Sequence, residues 1–108
     1  MNKFVQVLTT CETKDRAEKI AEALVNRKAA GCVQIIGPVT SIYRWKGQIE
    51  KAEEWLCIIK TKSELYDEVE KIVIQNHTYE TPEVILTPII EGSKEYLKWL
   101  RNEVKTVK

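Results

Sequence analysis

Residues 32–61 read CVQIIGPVTSIYRWKGQIEKAEEWLCIIKT, and this stretch decides the fold. Its two arms, 32–45 and 48–61, are rich in the β-branched and aromatic residues that strands favour. Lys46 and Gly47 separate the arms, and Gly47 can supply the positive φ that a two-residue hairpin turn needs. The stretch therefore predicts one long β-hairpin.

The turn also predicts the register of the hairpin. If the turn holds two residues, Trp45 faces Gln48 and Cys32 faces Thr61. Arms of this length, at ~3.3 Å per residue, would span roughly 46 Å. A domain of this size has a radius of gyration of only ~13 Å. The hairpin must therefore bend or project, and Gly37-Pro38 is the predicted place for a bend or bulge.

The segments on either side of the hairpin alternate between strand and helix patterns. One strand is predicted over 3–10 and another over 84–90, which Pro82 opens. Because Pro88 cannot donate to a strand ladder, the second of these strands should lie at a sheet edge. Apolar residues at helical spacing follow three predicted helix caps, and Gly31 is expected to end the first helix. The caps are Thr13, Ser63 and Ser93.

The predicted order is β-α-β-β-α-β followed by a terminal helix, which is the α+β, ferredoxin-like split βαβ pattern. We expect a single domain over residues 1–108, since domains cluster near roughly 100–150 residues. Two helices shield one face of such a sheet, yet residues 55–59 and 84–86 are apolar on both faces. A neighbouring subunit would cover the second face, so we expect an oligomer. The alternative is a slightly irregular monomer with a kinked hairpin.

Composition excludes several classes of protein. With 17 basic and 16 acidic residues the net charge is +1, so no basic surface for nucleic acid is expected. No run of ~18 apolar residues could span a membrane. The cysteines are odd in number and never arranged as CxxC, unlike a disulfide framework. The first residues alternate like a strand instead of forming a signal peptide, and we expect a cytoplasmic protein.

Cys11 and His77 are the candidates for metal chemistry. Cys11 ends the first predicted strand, and His77 lies between a predicted helix and the fourth strand. The first and fourth strands are antiparallel neighbours in this fold, so the two side chains could approach each other within one subunit or between two. Thiolate and imidazole favour copper or zinc. The alternative is that His77 only caps its helix; Cys32 and Cys57 are interpreted as small buried apolar residues.

A second candidate group mixes aromatic and polar residues. It consists of Tyr43, Trp45, Lys60, Tyr79 and Glu80. Tyr43 and Trp45 share one strand face by the period of two. They favour either packing at an interface, where aromatic residues are enriched, or the rim of a ligand pocket between subunits. For the pocket, an anionic ligand is expected.

The motifs of common enzyme classes are missing. The sequence contains no G-x-S-x-G, H-E-x-x-H, G-x-x-x-x-G-K-[ST] or G-x-G-x-x-G. With 4 glycines and 1 histidine, the chain lacks residues that most hydrolytic and nucleotide-dependent mechanisms require. We do not expect an enzyme.

Six short motifs follow one another along the chain. They are GCV at 31–33, SIYRWKG at 41–47, EEW at 53–55, IKT at 59–61, HTYETP at 77–82 and YLKWL at 96–100. As a series they resemble the CutA family, the divalent-cation tolerance proteins, over essentially the whole chain. The resemblance implies a ferredoxin-like subunit in a tight homotrimer, similar in architecture to the PII-type signal proteins. It also implies copper and divalent-metal tolerance, with copper held at the positions of Cys11 and His77.

We therefore expect a homotrimeric copper tolerance protein that binds metal and takes part in the response to it. The expected bound species is copper or another divalent transition metal, and no metal should be required for folding. Two alternatives stay open. One is a PII-like signalling or small-ligand module without a metal-specific role, and the other is a structural trimer whose partner does the work.

Overall fold

The computed structural model describes residues 3–107, so residues 1, 2 and 108 of the expected domain lie outside the described range. Within it the strands are β1 (Phe4–Cys11), β2 (Cys32–Trp45), β3 (Gln48–Lys62) and β4 (Ile85–Pro88), and the helices are α1 (Lys14–Asn26), α2 (Tyr66–Asn76) and α3 (Lys94–Glu103). The strands form one antiparallel sheet in the order β2-β3-β1-β4. The predicted order of elements is confirmed, and β4, which ends at Pro88, lies at an edge as expected.

The hairpin contains a bulge that shifts its register by one residue. Trp45 pairs with Gln48 as predicted, but Cys32 pairs with Lys60 and not with Thr61. The shift falls between Ile36 and Val39, at the predicted Gly37-Pro38 position, where two residues of β2 oppose one residue of β3. The prediction for Cys32 was wrong because it assumed an uninterrupted ladder.

Gly37 makes room for an aromatic ring at this bulge. A Cβ atom on Gly37 would lie 2.4 Å from the Trp55 ring, so the indole packs directly against the β2 backbone. Beyond the bulge the hairpin projects, because β1 pairs with β3 only between Trp55 and Lys62. The longest dimension of the chain is accordingly 44 Å.

Two of the three predicted helix caps are confirmed. The Thr13 hydroxyl accepts a hydrogen bond from the Arg16 amide at 3.0 Å, and the Ser93 hydroxyl accepts one from the Tyr96 amide at 3.2 Å. Ser63 was wrongly predicted as the third cap: it begins a 3₁₀ turn, Ser63–Leu65, and α2 starts at Tyr66 without a side-chain cap. The turn carries the Leu65 side chain, which is only 1% exposed, into the interior.

Helices α1 and α2 cover one face of the sheet. Val5, Val7, Thr9 and Cys11 alternate along β1 and are all buried on this face. The helices contribute Ala17, Ile20 and Leu24 from α1, and Val69, Ile72 and Val73 from α2. Of the helices in the described residues, none has the length and apolar content needed to cross a membrane.

The opposite face is covered at one end only. There α3 buries Leu100 against Phe4 and Val104. The rest of that face carries apolar side chains that are half-buried or exposed: Leu8, Ile36, Leu56, Ile58 and Ile85. We call these five residues the open face. Ile36 and Ile85 are each 49% exposed, so the helices shield one face of the sheet, as the sequence predicted.

Thr9 provides a test of this packing. Its side chain is fully buried, and its hydroxyl oxygen has no hydrogen-bond partner among the described residues. Valine has nearly the same shape without the hydroxyl, so Thr9→Val is expected to raise the free energy of unfolding by about 1–2 kcal/mol. Denaturant unfolding at one fixed protein concentration measures the change.

Thr61→Val is the matched control. Thr61 is equally buried, but its hydroxyl donates to the Ala29 carbonyl oxygen at 2.7 Å. Removing that hydroxyl leaves a carbonyl unpaired, so this variant should lose about 1–3 kcal/mol. A Thr9→Val protein that is no more stable than wild type would contradict the conclusion that the buried Thr9 hydroxyl destabilises the folded protein.

Candidate functional site

The first candidate site lies where β1 ends and the chain leaves α2. Cys11 is the last residue of β1, and His77 immediately follows α2. The Cys11 sulfur lies 3.9 Å from His77 Nε2. The Arg16 guanidinium donates to the Asn76 carbonyl oxygen at 3.0 Å, which fixes the end of α2 beside the first turn of α1. The structure thus brings the two predicted metal ligands together within one chain.

Both ring nitrogens of His77 have backbone partners. Nε2 lies 2.7 Å from the Thr10 carbonyl oxygen, and because a carbonyl only accepts, Nε2 carries the proton and donates it. Nδ1 lies 3.1 Å from the Tyr79 amide and accepts its hydrogen. The imidazole is therefore neutral in this arrangement, and a metal ion would take the place of one of these backbone partners.

The Cys11 thiol belongs to a buried pair. Thr9 of β1 faces Cys57 of β3, so Cys57 lies diagonally across from Cys11 on the helix-covered face. Interaction with the neighbouring Cys57 thiol lowers the pKa of Cys11, burial opposes this, and the Arg16 charge adds to the lowering. The same interaction, together with burial, raises the pKa of Cys57. Cys11 is therefore the thiol of the pair that loses its proton first.

The donor chemistry of Cys11 and His77 suits copper or zinc, which thiolate and imidazole both bind. Across residues 3–107, no group of three or more His, Cys, Asp or Glu side chains is arranged to hold a metal ion. Thiolate and imidazole are ligand types that copper binds, so Cys11 and His77 fit this metal chemically. Further ligands would have to come from solvent or from another copy of the chain.

The second candidate site is a cavity of about 690 Å³ between the projecting part of the hairpin and the segment 78–83. Eleven residues line it: Thr10, Ser41, Ile42, Tyr43, Trp45, Glu54, Thr78, Tyr79, Glu80, Thr81 and Glu83. Four of the five predicted pocket residues are among them. Lys60 is not: it lies at the other end of the sheet, in a smaller cavity of about 410 Å³, with its Nζ 5.7 Å from the centre of the Tyr96 ring.

Glu54 is a cavity residue that the sequence analysis missed. Its side chain is only 6% exposed, and its Oε2 accepts a hydrogen bond from the Tyr79 hydroxyl at 2.7 Å. Burial, followed by this hydrogen bond, raises the pKa of Tyr79, so the phenol stays protonated and donates. Glu54 precedes Leu56 by two positions on β3 and therefore shares its face. That alternation is the signal that could have identified Glu54.

An ammonium group of the chain itself lies near two lining residues of the cavity. Lys46 Nζ lies 4.0 Å from Glu80 Oε1 and 5.6 Å from the centre of the Trp45 ring. Both charged side chains are about three-quarters exposed to solvent, at 74% each. This edge of the cavity combines an aromatic face with a carboxylate, the surroundings that an organic cation prefers.

Comparison with known proteins identifies the family. A family profile described as "CutA1 divalent ion tolerance protein" matches residues 5–103. The chain belongs to the CutA1 family. The divalent-cation tolerance protein CutA of Thermus thermophilus is 41% identical over 95 residues, which cover 88% of this chain and 92% of that protein.

The fold agrees with solved structures of the family. The crystal structure of CutA1 from the psychrotrophic bacterium Shewanella sp. SIB1 superposes with a TM-score of 0.94 at 41% identity, covering 97% of this chain and 98% of that one. A chloroplastic CutA of Arabidopsis thaliana is 38% identical over 101 residues, which are 94% of this chain but 56% of that longer protein. The resemblance to CutA proteins predicted from the six motifs is confirmed, and members of the family are named as tolerance proteins, not as enzymes.

Proposed function

We propose that the chain is a divalent-cation tolerance protein that binds copper through Cys11 and His77 and acts without catalysis. The observation that carries this proposal is the 3.9 Å approach of the Cys11 sulfur to His77 Nε2. The lowered pKa of Cys11 supports it, because the thiolate is the form that binds metal. The name of the Thermus relative, a divalent-cation tolerance protein, points to the same class of ligand.

Copper binding would change the hydrogen bonding of His77. Cys11 is fully buried, so an ion would reach it from the side on which His77 lies. Binding through Nε2 would displace the ring proton from the Thr10 carbonyl oxygen. Affinity should fall in acid, because protons compete with the metal ion for its ligands.

Two single substitutions test the copper site. Cys11→Ala and His77→Ala should each weaken copper binding on the order of tenfold or more, as losses in and around metal sites do. Calorimetric titration with Cu(I), supplied from a competing chelator under anaerobic conditions, measures the affinity. Cys32→Ala is the control, because Cys32 pairs with Lys60 on another part of the sheet. Unchanged copper affinity in both Cys11→Ala and His77→Ala would exclude the proposed site.

The proposed assembly is a homotrimer. Its support is the open face together with the projecting tip of the hairpin, where Ile42 and Ile49 are 69% and 68% exposed. Apolar surface of this extent is normally covered in a stable protein. The proposed compartment is the cytoplasm, since the three cysteines, all within the described residues, form no disulfide.

A second candidate function is a small-ligand module, and the cavity beside the hairpin favours it. Its volume of about 690 Å³ falls within the range of roughly 300–1,000 Å³ that small-molecule sites occupy. Within one chain three glutamates line this cavity. The anionic ligand was expected for a pocket shared between subunits, to which Lys60 would also contribute.

A further inference from the structure

The cavity beside the hairpin is acidic and aromatic at once. Glu54, Glu80 and Glu83 line it, and none of its lining residues in the described part of the chain is Lys, Arg or His. Tyr43, Trp45 and Tyr79 supply aromatic surface. The lining therefore favours a positively charged ligand that also has apolar parts.

Glu54 provides the strongest argument. Its carboxylate is more than nine-tenths buried, and within residues 3–107 it forms no ion pair with a cationic side chain. The Tyr79 hydroxyl gives it one hydrogen bond, on Oε2. A buried carboxylate is costly unless a cation or several donors compensate its charge. A ligand cation in the cavity would supply that compensation.

Glu83 points in the same direction. Burial raises its pKa, and the negative charge of Glu54 raises it further. Glu83 is exposed to solvent, and its pKa still responds to the charge of Glu54 across the cavity. Negative potential of this kind attracts cations and repels anions.

Three observations favour an organic cation over a metal ion. The described residues contain no group of three His, Cys, Asp or Glu side chains arranged around a metal. The cavity, at about 690 Å³, is much larger than a single ion needs. The Lys46 ammonium lies 5.6 Å from the centre of the Trp45 ring and 4.0 Å from Glu80 Oε1, so the chain itself places a primary ammonium beside two lining residues.

We propose that the cavity binds an organic molecule carrying a primary ammonium group, with the ammonium on Glu54 and the aliphatic part against Tyr43 and Trp45. This inference rests on the second candidate function, the small-ligand module, and is independent of the copper site. The aromatic faces hold the alkyl chain and add cation–π attraction. The buried carboxylate selects the charge.

Three probes of equal chain length isolate the charge of the ligand. They are 1,4-diaminobutane, 1,4-butanediol and butanedioate, which are cationic, neutral and anionic at neutral pH. Isothermal titration of the assembled wild-type protein with each, at one ionic strength, gives the affinities. We expect the diamine to bind and the diol and the dianion to bind at least about tenfold more weakly, the factor that a lost partner of a buried charge commonly exceeds.

Glu54→Gln and Glu53→Gln form the matched pair of variants. Both remove one negative charge from neighbouring positions of β3, but Glu53 is exposed and is not among the lining residues. Glutamine at position 54 retains an acceptor for the Tyr79 hydroxyl. Diamine affinity should fall by about tenfold or more in Glu54→Gln and stay within about twofold of wild type in Glu53→Gln. If Glu54→Gln fails to fold, Glu83→Gln takes its place. It alters an exposed lining residue and should also lower the affinity for the diamine.

The outcomes separate this inference from the broader function. Tighter binding of butanedioate would overturn the ammonium assignment while leaving a small-ligand module in place. Equal diamine affinity in Glu54→Gln and Glu53→Gln would likewise overturn it. If Mg²⁺ alone binds with dependence on Glu54 and the diamine does not, the cavity is a metal site and the inference is wrong. If none of the probes binds, the inference fails, while the copper titrations of Cys11→Ala and His77→Ala still decide the first function.

Discussion

Leu56→Glu is expected to yield particles of 12.5 kDa, the mass of one chain, in place of the trimers proposed for the wild-type protein. Leu56 lies in the middle of the open face, paired with Ile36 on β2 and with Thr10 on β1. A trimer interface built on this face would bury the new carboxylate among apolar side chains. The cost of burying an unpaired charge is several kcal/mol for each subunit, which is large enough to prevent assembly.

Light scattering coupled to gel filtration measures the particle mass at matched concentrations. Gln75→Glu is the control, because it adds the same charge to an exposed position of α2, on the side of the sheet away from the open face. This variant should keep the wild-type mass. Circular dichroism should show that Leu56→Glu retains its helices, since α1 and α2 pack on the other side of the sheet. A wild-type particle of one chain, or a Leu56→Glu particle of three, would refute the proposed interface.

Leu100→Ala is expected to lower the free energy of unfolding by about 2–5 kcal/mol, the range for truncating a buried leucine. Leu100 is fully buried and packs with Phe4, Leu65 and Val104. It is the buried residue that α3 contributes to this cluster. Its loss leaves a cavity under the helix, so α3 should also exchange its amide hydrogens faster than α1 and α2 do.

The comparison requires one fixed protein concentration, because assembly contributes to the apparent stability of an oligomer. Lys98→Ala is the control: Lys98 is exposed on the same helix, and substitutions of this kind usually change stability by less than about 0.5 kcal/mol. A loss below 1 kcal/mol in Leu100→Ala, with unchanged exchange in α3, would show that the helix does not depend on this contact.

The sequence was sufficient at several positions where a local rule specified the structure, although the capping rule failed at Ser63 and α1 ends at Asn26, before the Gly31 that was predicted to end it. At the hairpin turn, Lys46 and Gly47 have φ of 52° and 81°, as a primed two-residue turn requires. The caps at Thr13 and Ser93 follow from side chains that reach their own helix. The edge position of β4 follows from Pro88, which has no amide hydrogen to donate. Each of these features depends on residues that are close in the chain.

Features that depend on contacts between distant residues were harder to predict from the sequence. The bulge at Gly37 was predicted, but its effect on the pairing of Cys32 depended on how Trp55 packs there. The approach of Cys11 to His77 followed from strand order alone, whereas the backbone partners of both imidazole nitrogens required coordinates. Lys60 was grouped with the aromatic residues by sequence, yet within one chain it lies near Tyr96 instead.

The extra residue at the bulge determines which side chains of the outer hairpin reach the ligand cavity. Before it, the even-numbered residues of β2, such as Ile36, share a side with Leu56; after it, the odd-numbered residues Tyr43 and Trp45 take that side. Without this change of parity, Arg44 would face the cavity in place of the two aromatic residues. Its positive charge would then repel the cationic ligand that we propose. One inserted residue in the strand thus decides whether aromatic or basic side chains of β2 face the cavity.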